Sequence, residues 1–525
     1  MKQTKNRGLS ITFQILAVLI IITTFLFLVL KYLDISTKVE EDPRFVKIDY
    51  KQLQKEADAI GNPSSLTNTN AKNVFVLTYH VISNGPPQDE YDISYDQFKD
   101  NMFALKRAGY QTISLQDFYL FMGGEKEIPD KSFILTFDDA AKAGYYNADP
   151  ILKALNYTAV MFVITGHSLG ENQSVYYLNE LELLEVQQTG RWELESHTYE
   201  SHFRRQIDAN GNTAPVLTNK LWISEESRIE TNEEFFARVS TDIKKSKELL
   251  EIKFNQPVIA FALPYGDFGE SGSNYPEARN IIYDLTTSTS KLVFYEFPIK
   301  NKIFKGNYPG SKQDSYLVTR LPADSLRTPD KLLQKIEASR SLELPYYEHY
   351  TNYDSWPRIS GIASFENDSI ILKNDVTPVE DILFAYLDGS YLWEDYTYSI
   401  QLKNKQASKI SLLSRLTYSV GKSTSSLDYV SCQYTKESVS LINANRGVQT
   451  KIVSEQLTNK TDLKAGTILS MSVKNNMVSC SMNGKQVISK EVPNISSHGG
   501  VGVKAEDFAT QNKTFAFGGI SILNY

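Results

Sequence analysis

Two neighbouring carboxylates and three histidines in this chain have the types and spacing needed for metal chemistry. Each follows a short apolar run, directly or within a few residues: His80, Asp138, Asp139, His197 and His202. Two imidazoles and one carboxylate, with open positions for water and substrate, suit Zn²⁺ or another divalent transition metal. His197 and His202 are five residues apart, unlike the pair in a helical H-E-x-x-H site, so a loop must bring them together. The pattern predicts a metal-dependent hydrolytic site, although an Asp pair after a strand can also form a turn or cap a helix.

Short β-rich runs alternate with helical stretches in this region, which predicts a parallel sheet or barrel. Amphipathic helices are expected around Tyr95–Ala108 and Asn232–Leu250, where apolar residues recur at helical spacing. In such folds the active site gathers at the carboxyl ends of the strands. Other runs end at Thr165 and at Thr319-Arg320, which we interpret as strand ends without a chemical role.

The length and charge of the chain limit its class. At 525 residues it is too long for one ordinary core, so two or three domains are expected. The net charge of −7 and the pI near 5.6 argue against nucleic acid as a partner. Its two cysteines, Cys432 and Cys480, either form a disulfide or remain two buried thiols, and the sequence leaves both alternatives open.

The N-terminus predicts a membrane anchor. Lys2, Lys5 and Arg7 precede an uncharged stretch, Gly8–Leu30, which is long enough to cross a hydrocarbon core of about 30 Å as a helix. Positive charge before the span predicts a cytoplasmic N-terminus and places the rest of the chain outside. We interpret the segment as an uncleaved anchor, with a cleaved signal peptide as the alternative.

The composition predicts four parts. Residues 1–30 hold the cytoplasmic tip and the anchor, and the polar residues 31–72 read as a linker or stalk. Residues 73–345 form the domain that alternates strands with helices. Residues 350–525 consist of short alternating segments separated by turns, with an Asn483-Gly484 hairpin signal, which predicts an all-β sandwich or jelly roll.

Three motifs in the middle domain resemble those of polysaccharide deacetylases, the NodB-homology or carbohydrate esterase family 4 group. Thr136–Asp139 looks like the T-F-D-D motif, Glu195–His202 like the second motif, and Phe261–Gly266 like the third. The second motif has the longer form seen in exopolysaccharide deacetylases of the poly-N-acetylglucosamine and Pel type. The resemblance covers roughly residues 73–340 and implies a distorted (β/α) barrel.

The family resemblance also implies roles for individual residues. Asp139, His197 and His202 would hold the metal, and Asp138 would act as the general base. Further roles fall on residues beside this cluster: His80 as general acid, the backbone N–H of Tyr265 as oxyanion donor, Pro264 and Tyr265 as substrate contacts, and Glu195 as a group that orients His197.

Two departures from the family pattern concern the acid and the base. Ala262 stands where many members carry an arginine that orients the base, so another group must hold Asp138. No late L-x-H motif follows Tyr265. The early segment Leu77–His80 resembles the start of members with a circularly shifted barrel, so we assign the acid to His80; a structural histidine at a strand end is the alternative.

The leading interpretation is a membrane-anchored, extracellular N-deacetylase of an N-acetylhexosamine exopolysaccharide from a biofilm matrix. The implied cofactor is a divalent metal, Zn²⁺ above Co²⁺, Ni²⁺ or Fe²⁺, and exopolysaccharide synthesis or export machinery is a further expected partner. Residues 350–525 are similar to concanavalin-like jelly rolls, which suggests carbohydrate binding or a structural role. The alternatives are a peptidoglycan or chitooligosaccharide deacetylase, a non-catalytic glycan-binding adhesion protein and, much less favoured, a two-histidine iron oxygenase.

Overall fold

The computed structural model of the protein describes the greater part of the chain. The described residues are 23–24, 42–61, 70–170, 174–269, 272–296, 306–310, 312–338, 340–350, 355–373, 381–404, 407–420, 425–445, 448–457, 463–506 and 513–525. The predicted anchor, Gly8–Leu30, lies outside these ranges except for Thr23 and Thr24. Within them, no helix combines the length and the apolar character that a membrane crossing requires.

The first domain is built on parallel strands. Its strands are β1 (Phe75–Tyr79), β2 (Val81–Ser83), β3 (Asp92–Ser94), β4 (Gln111–Thr112), β5 (Ser132–Phe137), β6 (Ala159–Val163), β7 (Trp192–Ser196), β8 (Arg204–Gln206), β9 (Thr213–Pro215), β10 (Trp222–Ile223), β11 (Arg228–Ile229), β12 (Ala260–Ala262), β13 (Leu292–Glu296) and β14 (Tyr316–Pro322). Seven of them are neighbours in the order β1, β14, β13, β12, β7, β6, β5. Because β5 also pairs with β1, these seven parallel strands close into a barrel, as the sequence predicts.

Helices surround the barrel and cover its outer face. They are α1 (Tyr50–Asp58), α2 (Tyr95–Arg107), α3 (Leu115–Met122), α4 (Lys142–Leu155), α5 (Thr165–Ser168), α6 (Glu180–Gln188), α7 (Asn232–Phe254), α8 (Ala278–Thr289) and α9 (Pro329–Ala338). Local sequence defines several helix starts, since Ser94, Asn179 and Thr231 each form a capping box with the residue three positions on. One apolar cluster fills the barrel and others pack between strands and helices, so most barrel strands are buried on both faces.

The stretch predicted as a linker contains structure that belongs to the barrel domain. Helix α1 buries Leu53 and Ala57 in the same core as the strands. Phe45 packs on Tyr146 of α4 with ring centroids 4.9 Å apart, and the Val46 N–H donates to Asn147. The prediction differs here because a few well-spaced apolar side chains suffice to dock a short helix whose composition is otherwise polar.

The second domain consists of two antiparallel sheets. Its strands are β15 (Tyr346–Tyr347), β16 (Arg358–Ser360), β17 (Ile362–Glu366), β18 (Ser369–Lys373), β19 (Ile382–Tyr386), β20 (Tyr396–Leu402), β21 (Lys409–Val420), β22 (Ser425–Thr435), β23 (Ser438–Asn445), β24 (Val448–Gln456), β25 (Ile468–Lys474), β26 (Met477–Met482), β27 (Lys485–Glu491), β28 (Gly500–Glu506) and β29 (Thr514–Asn524). One sheet runs β17-β18-β29-β20-β25-β26-β27, with β15 paired to β29, and the other runs β16-β19-β28-β21-β22-β23-β24. Their inner faces share one apolar core, so the all-β expectation for this region is confirmed.

A disulfide joins the two sheets of the sandwich. Cys432 of β22 is bonded to Cys480 of β26, and both residues are fully buried in the shared core. Of the two alternatives that the sequence left open, the structure contains the disulfide.

Hydrogen bonds and ring contacts hold the sandwich against the barrel. Tyr391 of the sandwich stacks on Tyr308, with ring centroids 5.4 Å apart, and accepts a hydrogen bond from Asn73. Mixed polar and aromatic contacts of this kind connect the two cores without merging them.

Removing the disulfide should destabilise the sandwich selectively. A bond that closes a loop of 48 residues stabilises a fold by about 2–4 kcal/mol, chiefly by restricting the unfolded chain. We expect the double variant Cys432→Ser/Cys480→Ser to show faster hydrogen exchange in the sandwich and unchanged exchange in the barrel, measured by mass spectrometry. Unaltered exchange in strands β22 and β26 would contradict this expectation.

Candidate active site

Strand alternation brings the site residues to one end of the barrel interior. Val76, Ile134 and Val318 point into the barrel core. Residues an even number of positions further along the same strands must point the same way. His80, Asp138 and Arg320 stand in such positions just beyond or at the ends of β1, β5 and β14. Their side chains therefore meet at the carboxyl ends of the strands.

The three predicted metal ligands lie together at this end. Oδ1 of Asp139 is 3.6 Å from Nε2 of His197 and 3.5 Å from Nε2 of His202, and these atoms form a cluster suited to one metal ion. A Zn²⁺ ion bound at about 2.0–2.2 Å to tetrahedral N and O ligands would space them roughly 3.3–3.6 Å apart. The arrangement fits a metal by its donor set and by its spacing.

Unpaired buried atoms provide a second sign that this cluster suits a cation. Oδ1 of Asp139 and Nε2 of His197 are buried and have no hydrogen-bond partner among the described residues. Native proteins rarely leave such atoms unsatisfied, because desolvating them is costly. A divalent ion between them would satisfy both.

His197 is held in the orientation that a metal ligand needs. Its Nδ1 lies 2.8 Å from the carbonyl oxygen of Ala262, which assigns the proton to Nδ1 and leaves Nε2 as the free donor. Burial lowers the pKa of His197 to about 4, so the imidazole is neutral near pH 7. Ala262 therefore contributes its backbone carbonyl at the point where the family pattern led us to expect an arginine side chain.

The structure corrects the predicted role of Glu195. Its carboxylate accepts a hydrogen bond of 2.7 Å from the backbone N–H of Ala260, and not from His197. Glu195 lies on β7 two residues before His197, one inward position deeper in the barrel, where burial raises the pKa of its carboxyl well above the usual range. Its hydrogen bond links β7 to β12, so Glu195 affects the site only by stabilising the barrel that carries it.

The loops around the metal cluster contain backbone conformations that non-glycine residues seldom adopt. Asp139, Thr198 and Tyr265 have φ values of 71°, 74° and 58°. Such residues cost about 1–3 kcal/mol each and concentrate at functional sites. Each of the three lies in a loop at the end of a strand, and each loop carries a residue of the site. The strained backbone conformations therefore occur where the side chains of the site come together.

Arg320 takes the place of the missing arginine, which the sequence did not predict. Its Nη1 donates to Oδ1 of Asp138 at 2.7 Å, and both side chains are almost completely buried. Burial alone would raise the pKa of Asp138, but the charge and hydrogen bond of Arg320, together with the charges of His197 and His80, outweigh it and hold that pKa far below its usual range. The interpretation of Arg320 as a strand end without a chemical role was therefore wrong.

A second carboxylate positions Arg320. Oε1 of Glu296, at the end of β13, lies 3.3 Å from Nη2 of Arg320.

The Pro264–Gly266 turn packs closely against Glu296. A Cβ on Gly266, whose φ is +62°, would lie 2.4 Å from the Cβ of Glu296. Glycine is required there for both reasons.

His80 is paired with a carboxylate that sequence reasoning also missed. Its Nδ1 lies 2.9 Å from Oδ2 of Asp324, and its Nε2 lies 3.9 Å from Oδ2 of Asp138. Burial lowers the pKa of His80, but the hydrogen bond and charge of Asp324, with Asp138 adding to them, raise it overall to about 10. His80 is therefore a protonated imidazolium at neutral pH, with its Nε2–H directed toward the site.

Two exposed aromatic rings border the cluster. Tyr265 stacks on His202 with ring centroids 5.1 Å apart and is 45% exposed, and Tyr91 lies edge-on to His80 at 5.2 Å and is 50% exposed. Pro264, the residue before Tyr265, is buried, which argues against the prediction that Pro264 contacts substrate. Exposed tyrosines offer flat surfaces with a polar edge, as sugar rings require.

Taken together, the site can carry out hydrolysis with a base, an acid and a metal. Asp138 is an ionised carboxylate near His197, and His80 is a proton donor on its other side. A metal held by Asp139, His197 and His202 would polarise a carbonyl and lower the pKa of water. The buried pair of Asp138 and Arg320 keeps the base ionised and immobile.

The region that contains this site is similar in sequence to known proteins. Residues 125–277 match the family model described as polysaccharide deacetylase. The chain is 29% identical over 225 residues to the poly-β-1,6-N-acetyl-D-glucosamine N-deacetylase of Escherichia coli K12, covering 40% of this chain and 33% of that protein. It is 30% identical over 177 residues to the enzyme of the same name from Staphylococcus aureus MRSA252, covering 34% of this chain and 54% of the other.

A solved structure of a de-N-acetylase from Aggregatibacter actinomycetemcomitans also aligns, with 21% identity, 47% of this chain and 94% of that chain covered, and a TM-score of 0.40. The chain thus spans a third to about half of the length of the curated relatives named above.

Metal should stabilise the folded protein through these ligands. A ligand that binds only the native state at 100 times its Kd stabilises it by about 2.7 kcal/mol, so Zn²⁺ should raise the thermal midpoint of the metal-stripped chain. The variant Asp139→Asn or His202→Ala should lose most of this rise. The variant His349→Gln, which changes an exposed histidine near the sandwich, should keep it. An equal rise in all four proteins would contradict the assignment.

Proposed function

We propose that the polysaccharide deacetylase domain carried by this chain removes acetyl groups from N-acetylhexosamine units of an exopolysaccharide. The observation that carries the proposal is the division of labour in the Asp138-Asp139 pair. Both carboxylates lie near His197, but Asp139 is also beside His202, while Asp138 is bonded to Arg320 and lies near His80. Adjacent carboxylates with such different surroundings are suited to different tasks, one to metal binding and one to proton transfer.

The protein groups supply the proton transfers of amide hydrolysis. Asp138 accepts a proton from the attacking water, and Arg320 keeps its carboxylate aligned. The backbone N–H of Tyr265 is the proposed donor to the oxyanion as the acetamide carbon becomes tetrahedral. His80 then donates its Nε2 proton to the departing nitrogen, which would otherwise be too poor a leaving group. Zn²⁺ is the preferred ion for the ligand set, with Co²⁺, Ni²⁺ and Fe²⁺ as alternatives.

The names of the relatives and the rim of the site support the substrate class. The Escherichia coli and Staphylococcus aureus relatives described above are both named as poly-β-1,6-N-acetyl-D-glucosamine N-deacetylases. Tyr265 and Tyr91 border the cluster as exposed rings that suit stacking on pyranose faces. A biofilm polymer of this type is therefore the proposed substrate, and peptidoglycan or chitooligosaccharides are the alternatives within the same chemistry.

The proposal puts the barrel outside the cytoplasm. Gly8–Leu30 would be a single-pass anchor with a cytoplasmic N-terminus, and the polymer would reach the barrel from synthesis or export machinery in the same membrane. The disulfide between Cys432 and Cys480 supports an oxidising compartment, since such bonds are rare in the cytosol. We also propose that the sandwich has a concanavalin-like jelly-roll topology.

Acetate release tests the proposal directly. The full chain loaded with Zn²⁺ should release acetate from poly-β-1,6-N-acetylglucosamine, and Asp138→Asn should lower the rate about 10²–10⁴-fold because the base is lost. Chelation should abolish release, and readdition of Zn²⁺ should restore it. The matched control Asp117→Asn, at a partly exposed ion pair with Lys126, should behave as wild type.

Peptidoglycan and N-acetylglucosamine oligomers, assayed in parallel, distinguish the alternative substrates. Absence of metal-dependent acetate release from all of them would refute the enzyme and favour a glycan-binding adhesion protein.

The pH profile tests the role of Arg320. The variant Arg320→Met removes the charge that lowers the pKa of Asp138, so that pKa should rise. Since the base works only when deprotonated, the acid limb of kcat/KM should move to higher pH, and activity near neutral pH should fall about 10²-fold or more. Arg320→Lys, which retains a positive charge, should shift the limb less. An acid limb identical to wild type in Arg320→Met would refute this role.

A further inference from the structure

The loop between His197 and His202 carries both histidines of the proposed metal cluster. Four residues separate the two. His197 is buried and bonded to the carbonyl oxygen of Ala262, whereas the side chain of His202 is 20% exposed and stacks on half-exposed Tyr265. The position of His202 therefore depends on the backbone of the loop that carries it.

A single carboxylate on helix α7 holds the middle of this loop. Oδ1 of Asp242 accepts a hydrogen bond of 3.0 Å from the backbone N–H of Tyr199, and Oδ2 accepts one of 2.7 Å from that of Glu200. Tyr199 and Glu200 are the central two of the four residues between the histidines. Hydrogen bonds to an ionised carboxylate are roughly twice as strong as those between neutral groups. Asp242 therefore restrains the loop at its midpoint.

Burying Asp242 is costly, and the loop provides the contacts that compensate for this cost. The residue is 8% exposed. Burial raises the pKa of its carboxyl, and the backbone N–H groups of Glu200 and Tyr199 are the main contacts that oppose the rise. A buried carboxylate is tolerated only with close polar partners. The partners of Asp242 thus lie on the segment that joins the two metal ligands.

Backbone contacts from helix α5 hold the other side of the loop. The N–H of Thr165 donates to the carbonyl oxygen of Thr198 at 3.1 Å, and the N–H of Gly166 donates to that of Tyr199 at 2.8 Å. A Cβ on Gly166 would lie 2.4 Å from the Tyr199 oxygen, so only glycine permits this approach. The peptide groups of Tyr199 are therefore held on both sides, by Asp242 and by Gly166.

An open cavity beside the loop leaves it without a continuous core on that side. The cavity measures about 430 Å³, and its lining includes Tyr199, Glu200, Ser201 and Asp242. Atoms that face open space lack the dispersion contacts that immobilise a packed core. Hydrogen bonds must therefore do more of the work of holding this loop than packing does.

We propose that Asp242 is a positioning residue of the deacetylase site: by holding the middle of the loop, it keeps His202 beside the other two metal ligands. The inference rests on the metal centre of the proposed function. Both oxygens of Asp242 are bonded to the loop backbone, so the residue acts through His202 and not on the metal or the substrate. Functional side chains need to be held within about 0.5 Å of their working geometry, which requires such support.

Zinc affinity tests the inference on the metal-stripped full chain, with the Kd measured by competition with a chromophoric chelator. Asp242→Asn is nearly isosteric but turns an amide N–H toward one of the two loop N–H groups, so the Kd for Zn²⁺ should rise about 10–100-fold. Gly166→Ala displaces the loop from its other side and should raise the Kd in the same direction. The matched control Glu193→Gln changes a partly buried carboxylate of β7 that accepts the N–H of Leu115, outside the loop, and should keep the parent Kd.

The visible spectrum of bound Co²⁺ separates positioning of the ligand from general destabilisation. The absorption of Co²⁺ depends on the number and arrangement of its ligands. Asp242→Asn should therefore change the spectrum at saturating Co²⁺. Glu193→Gln should leave the spectrum as in the parent, even where it lowers the thermal midpoint of the metal-free chain as much.

Two results would overturn the inference: a parent Kd and Co²⁺ spectrum in folded Asp242→Asn and Gly166→Ala proteins, or an equal loss of affinity in Glu193→Gln. Acetate release separates the inference from the proposed function. A chain that binds Zn²⁺ in a manner dependent on Asp242 but releases no acetate refutes only the deacetylase. Metal-dependent acetate release with a Kd that does not depend on Asp242 refutes only the positioning role, and a parent chain that binds no Zn²⁺ refutes both.

Discussion

The closure of the parallel barrel is the constraint on which the rest of the site depends. Because β5 pairs with β1, seven strands point their carboxyl ends to the same rim, and alternation sends every second side chain inward. Side chains from four different strand ends therefore meet at this rim: His80, Asp138, His197 and Arg320. No helix or loop has to cross the barrel to bring them together. A register slip of one residue on any of these strands would turn its functional side chain outward.

Closure of the barrel also buries charged side chains, and close partners of opposite charge within the site compensate for their loss of hydration. Asp138 and Arg320 are nearly without solvent contact, and a buried charge is tolerated only with a close partner. Here the charges form a chain: Glu296 faces Arg320, Arg320 faces Asp138, and His80 joins Asp138 to Asp324. The base and the acid are thus held ionised by neighbours on opposite sides, which prepares both for proton transfer.

Sequence reasoning identified the groups that lie close together along the chain and missed their distant partners. Asp138, Asp139, His197 and His202 stand in compact motifs, whereas Arg320 and Asp324 reach Asp138 and His80 only through barrel closure. Their inward positions at the end of β14 were a usable signal, since Arg320 follows inward-facing Val318 by two residues. Glu195 was misjudged because proximity to His197 in sequence does not give proximity in a strand, where two positions mean one layer deeper in the barrel.

Helix α1 shortens the segment that would connect the proposed anchor to the barrel domain. Because residues 42–61 dock on the barrel, the linker to the proposed anchor would comprise residues 31–41 and not the predicted residues 31–72. An extended chain reaches at most about 3.5 Å per residue, so this linker extends no further than roughly 40 Å. With the anchor and the substrate proposed above, the barrel would be confined to a shallow layer at the membrane surface and would act on polymer as it emerges, before it disperses into the matrix.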